Sequence, residues 1–146
     1  MITATLPPRP SDDFGSGEYG ASRGRGRTHK GEDYACAPGT LIHTRVAGKV
    51  TKIGYPYADD LRYRYVEVTS ADGLAHRLFY TAPLSHVTVG TAVSAGDVVG
   101  TAQDIASRYT TSTRHMNNHI HYEIVRYEGG RKAEYFPPGD ICHAPT

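Results

Sequence analysis

The stretch Asn118-His119-Ile120-His121-Tyr122-Glu123, near the C-terminal end of the chain, decides the fold. Its two histidines stand one residue apart and are followed by the β-prone residues Ile124 and Val125, a pattern that predicts a β-strand. Because successive side chains of a strand point to opposite faces, His119 and His121 project from the same side. A paired imidazole site is one interpretation. A solvated strand face with two incidental histidines is the other, since His-x-His alone is a weak motif.

The composition favours a mainly β protein. At 146 residues the chain is long enough for a single domain with one buried core. Glycine (16), proline (9) and tyrosine (11) are abundant and tryptophan is absent, a profile that suits many short strands joined by tight turns. The one helical turn that we predict spans Asp104–Tyr109.

Charge and hydropathy exclude several classes of function. The formal net charge of +1 gives no overall attraction to nucleic acid. Arg23, Arg25 and Arg27 form a local basic cluster, which fits a solvated, glycine-spaced loop better than a phosphate site. No apolar stretch is long enough to cross a bilayer, and the first ten residues lack a basic segment followed by an apolar run. We therefore expect neither a membrane span nor a classical signal peptide.

The two cysteines argue against a thiolate metal site. Cys36 and Cys142 lie far apart and do not form a Cys-x-x-Cys pair. They can form a disulfide only if the fold brings them together.

The N-terminal residues predict an extended arm. Residues 1–28 are rich in Pro, Gly, Ser and Arg, so contacts with the domain that follows, residues 29–146, must hold them. Phe14 and Tyr19 are the expected anchors. Within the domain, Arg62–Thr69 alternates strictly and passes through an Asp-Gly turn into Leu74–Thr81, which predicts a hairpin.

A second histidine and an aspartate complete a possible metal site. His29 and Asp33 stand four residues apart around a glycine that leads into a strand, and such a turn can aim both side chains into one pocket, although a surface turn is commoner on spacing alone. With His121 they supply two imidazoles and one carboxylate, a ligand set that suits catalytic zinc because it leaves a coordination position open. His119 would lie beside that position without needing to bind the metal.

Over residues 14–126 the chain resembles the lysostaphin- and LytM-type zinc peptidases, which cut peptidoglycan peptides. The matching pieces, in family order, are Gly20-Ala21-Ser22-Arg23, Arg27-Thr28-His29-Lys30-Gly31-Glu32-Asp33-Tyr34, Ala37-Pro38-Gly39-Thr40, Ala47-Gly48-Lys49-Val50, Val93-Ser94-Ala95-Gly96-Asp97-Val98-Val99-Gly100 and Asn118-His119-Ile120-His121-Tyr122-Glu123. The resemblance implies that His29, Asp33 and His121 bind zinc and that His119 is the catalytic histidine, acting on the attacking water or the developing charge. It also implies a single small domain of antiparallel sheets that form a groove, with the metal on its floor. The implied activity is zinc-dependent hydrolysis of peptide cross-links in peptidoglycan.

One departure from the family pattern concerns catalysis. The family usually carries a further histidine in a Tyr-x-His motif after the hairpin. Here Ala82 occupies that position if Tyr80 is the motif tyrosine, and Thr81 occupies it in an ungapped register from Val89-Gly90. Loss of a donor to a developing oxyanion commonly costs about 10²–10³ in rate.

Four residues are candidates for accessory roles at this site. Tyr80, His86 and His115 are possible substitutes for the missing donor, although a packed strand aromatic and two surface-loop histidines are the simpler interpretations. Glu123 faces the same side as His121 and is either a hydrogen-bond partner of that ligand or a solvated strand carboxylate.

A weaker resemblance links the chain to small stand-alone family members of bacteriophage tail and lysis proteins. It rests on Gly100–Ile105, Arg108-Tyr109 and Asn118-His119. It implies a protein of the virion, or one that acts in the cell wall or periplasm, with peptidoglycan and other phage tail proteins as partners. Two interpretations remain beside the enzyme: a weak or inactive zinc-stabilised structural or wall-binding module of a phage tail, and a metal-free β-domain.

Overall fold

Strands dominate the described part of the chain. The computed structural model describes residues 6–21, 23 and 28–138, so Cys142, Arg25 and Arg27 lie outside the described residues. The strands are β1 (Glu32–Ala35), β2 (Leu41–His43), β3 (Gly48–Gly54), β4 (Tyr65–Thr69), β5 (Ala75–Phe79), β6 (Thr81–Pro83), β7 (Ala92–Val93), β8 (Val98–Ala102), β9 (His119–Glu128) and β10 (Arg131–Phe136). A short helix, α1 (Ala106–Tyr109), confirms the predicted helical turn. Within these ranges, no helix has the length and apolar character needed to cross a membrane.

The strands form two antiparallel sheets, and β9 pairs with three other strands of the larger one. The strand order of that sheet is β1-β9-β5-β4-β3-β7. The first half of β9 pairs with β1 and its second half with β10, so these two strands share one edge of β9 while β5 takes the other. The smaller sheet has the order β2-β8-β6. The predicted mainly β, antiparallel fold is confirmed.

The hydrophobic core joins the two sheets. Ile120 and Ile124 of β9 are 3% and 0% exposed, and they belong to one apolar cluster with Ile42 and Val99 of the smaller sheet. Because strand side chains alternate, His119, His121 and Glu123 project from the opposite face of the larger sheet. The strand period therefore separates the core from the face that carries both histidines.

The hairpin of β4 and β5 is confirmed, but the predicted strand Leu74–Thr81 is wrong at its end. β5 stops at Phe79, because Tyr80 has a φ of 62°, in the left-handed region that a tyrosine rarely adopts. The Tyr80 N–H donates to the Arg64 carbonyl at 2.8 Å, and the Tyr80 carbonyl accepts from the Gln103 N–H at 2.8 Å. These bonds hold the conformation, and the chain crosses here from the larger sheet into β6 of the smaller one.

The N-terminal arm runs beside β1. The Ala35 N–H donates to the Pro7 carbonyl at 2.7 Å and the Arg9 N–H to the Asp33 carbonyl at 2.8 Å. The Asp33 N–H donates to the Gly17 carbonyl at 2.8 Å. A Cβ on Gly17 would lie 2.9 Å from the Asp33 Cβ, so the close approach of arm and strand requires glycine there.

Both expected anchors of the arm contact the domain. The Phe14 ring packs edge-on against Tyr109, with 5.6 Å between centroids, and the Arg114 guanidinium lies 4.1 Å from the centre of the Phe14 ring. The Tyr19 hydroxyl donates to the Tyr135 carbonyl at 3.5 Å. Residues 6–21 are thus tied to the domain by backbone and side-chain contacts.

Candidate active site

His29, Asp33 and His121 converge on one point, although 88 residues separate Asp33 from His121 in sequence. Asp33 of β1 stands directly opposite His121 of β9 in the sheet register, and His29 comes from the loop before β1. Asp33 Oδ1 lies 2.9 Å from His121 Nδ1 and 3.1 Å from His29 Nε2, and the two imidazole nitrogens are 2.9 Å apart. The structure therefore brings together the three predicted metal ligands.

Gly31 permits the loop that carries His29 to approach β9. A Cβ at this position would lie 2.2 Å from the Tyr122 carbonyl oxygen, a distance that no side chain can accept. The glycine between His29 and Asp33 is therefore required by the packing of backbone on backbone.

Backbone carbonyls fix the tautomers of two histidines. A carbonyl only accepts hydrogen bonds, so His29 Nδ1–H donates to the Glu18 oxygen at 3.0 Å and His119 Nδ1–H donates to the Asn117 oxygen at 2.8 Å. Each neutral ring then keeps a lone pair on Nε2, and both Nε2 atoms face Asp33. Burial lowers the pKa of His119, despite the opposing effect of the Asp33 charge, which favours the neutral form that can accept a proton.

His121 is held between two carboxylates. Its Nε2 lies 2.9 Å from Glu123 Oε1, on the side of the ring opposite Asp33. Burial lowers the pKa of His121, but hydrogen bonds to Asp33 and Glu123 outweigh this effect and raise the pKa to about 9. Burial likewise opposes ionisation of Asp33, yet the hydrogen bond from His121 and the charge of that imidazolium hold the pKa of Asp33 well below the usual range. A metal ion that bound His121 Nδ1 would therefore displace a proton.

Alternating charges continue from Glu123 across the sheet. Arg77 of β5 lies 3.2 Å from Glu123 Oε2 through Nη1, and its Nε lies 3.5 Å from Glu67 Oε2 of β4. The Thr51 hydroxyl donates to the second Glu67 oxygen at 2.8 Å. Glu123 is thus held at both oxygens, which restricts the orientation it offers to His121.

The site lies in a cavity of about 880 Å³. His29, Asp33, His119, His121 and Glu123 all line it. Tyrosines form one wall: the Tyr57 hydroxyl lies 2.6 Å from that of Tyr109 and 3.3 Å from that of Tyr80. A cavity of this size, in which aromatic side chains meet convergent polar groups, is typical of a binding site.

Tyr80 faces the histidines because of its left-handed backbone. Its ring meets the His119 ring edge to face, with 5.7 Å between centroids. Burial raises the pKa of Tyr80 to about 12, so the hydroxyl keeps its proton at neutral pH. Strained backbone of this kind is concentrated at functional sites.

The other two accessory candidates are not brought to the cavity. His86 is exposed and lines a separate depression with Leu84 and Asp97, and His115 is exposed on a loop where its backbone contacts Asp13. Neither belongs to the cavity lining. Among the histidines and tyrosines proposed as substitutes for the missing donor, Tyr80 is the one that the fold places beside His119.

Sequence analysis missed Arg9 and Arg77. Arg9 contacts Asp33 Oδ2 at 2.5 Å from within the arm. Its setting, Pro8-Arg9-Pro10, has no periodicity that predicts a buried contact. Arg77, in contrast, could have been predicted, because the alternation of the hairpin strands places it on the same face as Glu123.

The donor set of the three converging residues fits zinc. Two imidazole nitrogens and one carboxylate oxygen are ligands that zinc prefers in sites with an open position. Tetrahedral bonds of about 2.0–2.1 Å separate neighbouring donors by about 3.3 Å. The observed separations of 2.9–3.1 Å need to widen by only a few tenths of an ångström.

Comparison with known proteins identifies the family. The model of peptidase family M23 matches residues 27–134. This chain belongs to peptidase family M23. The structure of LytU is similar to this M23 chain with a TM-score of 0.66 and 21% identity, over 97% of this chain and 87% of that one. An alanine-to-histidine variant of the catalytic domain of EnpA, a prophage-encoded M23 protein of Enterococcus faecalis, is similar with a TM-score of 0.64 and 20% identity, over 95% and 93% of the two chains.

A vertebrate protein is also related in sequence to this M23 chain. Mouse leukocyte cell-derived chemotaxin-2 is 25% identical over 115 residues, which cover 79% of this chain and 71% of that protein. The M23 family is typically zinc-dependent, and this member has the His, Asp, His cluster that such a metal requires.

Proposed function

We propose that this M23 chain is a zinc-dependent endopeptidase that hydrolyses peptide cross-links in bacterial peptidoglycan. The observation that carries the proposal is the convergence of His29 Nε2, Asp33 Oδ1 and His121 Nδ1, with His119 Nε2 on the opposite oxygen of Asp33. These residues line a cavity of about 880 Å³. The three ligand residues would hold zinc.

Zinc bound to these residues would polarise the scissile carbonyl and lower the pKa of water toward neutrality. His119 is the general base in this proposal, because its Nε2 carries the lone pair and its Nδ1–H is fixed on the Asn117 carbonyl. After accepting a proton, the imidazolium is stabilised by the Asp33 charge, since Asp33 Oδ2 lies 3.5 Å away. The same group then donates the proton to the leaving amine.

Tyr80 is the proposed donor to the developing oxyanion, in place of the missing histidine. The Tyr57 hydroxyl can donate to the Tyr80 oxygen at 3.3 Å, which leaves the Tyr80 O–H for the substrate. Glu123 accepts from His121 Nε2–H and so orients that ligand. The tyrosine wall of the cavity supplies aromatic surface on which a peptide can lie.

We further propose that the protein reaches the wall as a component of a phage tail, in contact with other tail proteins. Similarity to EnpA, a protein described as prophage-encoded, supports this setting. Mass spectrometry of purified particles of a phage whose genome encodes this chain tests it. Presence of the chain in the particle at a fixed ratio to tail proteins is expected, whereas its recovery only from the lysate would indicate a free lysin.

Release of amino groups from purified peptidoglycan tests the enzymatic proposal. Walls with glycine bridges and walls with direct cross-links should be compared, each with stoichiometric zinc and with a chelator. We expect release from at least one wall that the chelator abolishes, and no release by Asp33→Ala, which should also fail to retain zinc. Stoichiometric zinc in Asp33→Ala would contradict the ligand assignment.

One observation favours a second function, a zinc-stabilised wall-binding or tail-structural module. Thr81 is fully buried in β6, and Ala82 carries no hydrogen-bonding side chain, so neither position supplies the family donor. The similarity to a protein named as a chemotaxin supports a non-peptidase use of the fold. Full zinc content with no release from any wall, together with sedimentation of the protein with those walls, would establish this alternative.

A further inference from the structure

The two oxygens of Asp33 face different partners. Oδ1 lies 3.1 Å from His29 Nε2 and 2.9 Å from His121 Nδ1, on the side of the proposed metal. Oδ2 lies 2.5 Å from Arg9 Nη1, its nearest partner, with His119 Nε2 at 3.5 Å and Arg23 Nη2 at 4.0 Å. The carboxylate is therefore divided between the ligand cluster and an arginine that belongs to the N-terminal arm.

Arg9 is itself fixed on every side. Its Nε and Nη2 bind the two oxygens of Asp12 at 3.0 and 2.7 Å, and Nη2 also donates to the Gly15 carbonyl at 3.1 Å. Its backbone N–H donates to the Asp33 carbonyl at 2.8 Å, and the residue is 5% exposed. A buried guanidinium with this many partners has one orientation, and it presents Nη1 to Asp33.

A cation can bind near Arg9 because the positive charge of Arg9 is compensated by Asp12. Asp12 forms a two-point ion pair with it, with both side chains almost completely buried. The positive charge of Arg9 is thus shared between two carboxylates, and Asp33 Oδ1 keeps its attraction for a metal.

The arm also holds a second ligand. His29 Nδ1–H donates to the Glu18 carbonyl, and Glu18 belongs to the same segment as Arg9. Two of the three proposed ligands therefore depend on residues 6–21 for their orientation, and only His121 is oriented from within the larger sheet by Glu123.

We propose that Arg9 is a positioning residue of the metal centre: it holds Asp33 by its outer oxygen, so that Asp33 offers one oxygen to zinc. This inference rests on the proposed zinc site. Loss of the guanidinium frees the carboxylate to rotate or to bind through both oxygens. Partners that orient metal ligands typically contribute about 10–100-fold to metal affinity.

Zinc affinity of Arg9→Met, measured by competition with a chelating indicator, tests the inference without any need for turnover. We expect the dissociation constant to rise by about 10–100-fold. Arg126→Met is the matched control, because Arg126 also pairs with two carboxylates, Glu128 and Glu134, but lies on the exposed part of β9. An affinity of Arg9→Met equal to that of Arg126→Met would overturn the inference.

The visible absorption spectrum of the cobalt-substituted protein distinguishes positioning of Asp33 from a purely structural role of Arg9. A purely structural role would leave this spectrum unchanged. If Arg9 enforces one-oxygen binding, the visible absorption of the cobalt form should weaken in Arg9→Met as the site gains a fifth donor, and Arg9→Lys should restore part of the affinity. Should Arg9→Met fail to fold, Asp12→Asn and Arg9→Lys decide the question. Wild-type zinc affinity and cobalt spectrum in both would overturn the inference.

Failure of this inference is distinct from failure of the proposed function. Wild-type protein that binds no zinc would contradict the metal site as a whole. Wild-type protein that binds zinc tightly, with Arg9→Met equally tight, would leave the enzyme proposal intact and remove only the role of Arg9.

Discussion

The two faces of the larger sheet are formed by the same strands, but different interactions hold their buried side chains. On the face toward the core, Val66, Leu78 and Ile124 are each at most 4% exposed and contact other apolar side chains. On the opposite face, Arg77 and Glu123 are also buried, yet they are charged and held in ion pairs. Burial alone therefore does not distinguish the faces, whereas the partners of each side chain do.

This difference assigns separate tasks to the two faces. Apolar burial contributes roughly 25 cal/mol per Å² to folding. Buried ion pairs contribute little net stability because desolvation opposes their attraction, although removal of one partner is costly. We expect substitutions on the core face to change stability and spare the site. Substitutions on the cavity face that leave the buried ion pairs intact should instead change the site and spare stability.

His119→Ala should have the largest effect, and on activity alone. Loss of a general base costs about 10²–10⁴ in rate, while zinc content and the midpoint of chemical denaturation should change little. Steady-state cleavage of a soluble peptidoglycan peptide measures the rate. His86→Ala is the matched control, because that exposed histidine lies outside the cavity. A His119→Ala enzyme as fast as the control would show that the base is another group.

Ile124→Ala should lower the stability of the protein and leave its zinc affinity unchanged. Ile124 is completely buried on the core face, so its truncation should lower the free energy of unfolding by about 2–5 kcal/mol. Denaturant unfolding with a chelator present measures this change. Zinc affinity at a temperature where the variant is folded should equal that of wild type, and a large loss of affinity would show that the two faces are coupled.

His76 is a buried ionisable residue on the otherwise apolar core face, so the contribution of this face to stability should depend on pH. It hydrogen-bonds the Tyr122 hydroxyl at 2.7 Å, and burial lowers its pKa from 6.5 to about 4. The unfolded chain therefore takes up a proton near pH 6.5, before the folded protein does. Stability from this residue is full above pH 6.5 and is lost as the pH falls toward 4, up to about 3 kcal/mol.

Unfolding of the metal-free protein at several pH values between 4 and 7 tests the role of His76. His76→Gln should be less stable than wild type at pH 7 but should show a flatter slope with pH. An unchanged slope in the variant would assign the acid sensitivity to other groups.

Tyr80→Phe should have the smallest effect of these four, on turnover and not on metal binding. Removal of the hydroxyl should slow cleavage by about 10²-fold, the lower end of the range for a lost oxyanion donor. Tyr57→Phe is the control variant, because it removes the hydrogen bond to Tyr80 and keeps the hydroxyl of the proposed donor. Full activity of Tyr80→Phe would leave the missing family histidine without a replacement.

Strand alternation accounts for what sequence analysis predicted correctly. The spacing of His119 and His121 placed both on one face, and the β4–β5 hairpin followed from alternation and an Asp-Gly turn. The crossing at Tyr80 was not predictable, because nothing local marks a tyrosine for a positive φ that distant hydrogen bonds enforce. Arg9 was equally hidden, since its partners Asp12 and Asp33 meet only when the arm lies beside β1.

If the proposed zinc site is correct, the arrangement of β1 and β9 makes metal binding a reporter of complete folding. Asp33 and His121 are joined only by a pairing across 88 residues of sequence, and Arg9 adds the N-terminal arm to the same point. A chain truncated between β1 and β9, or one that has formed only its hairpins, lacks the site. Because zinc would bind the native state alone, a concentration 1,000 times its Kd would add about 4.1 kcal/mol to the stability of the whole topology. Resistance to proteolysis should therefore rise with zinc throughout the domain, including loops far from the cavity.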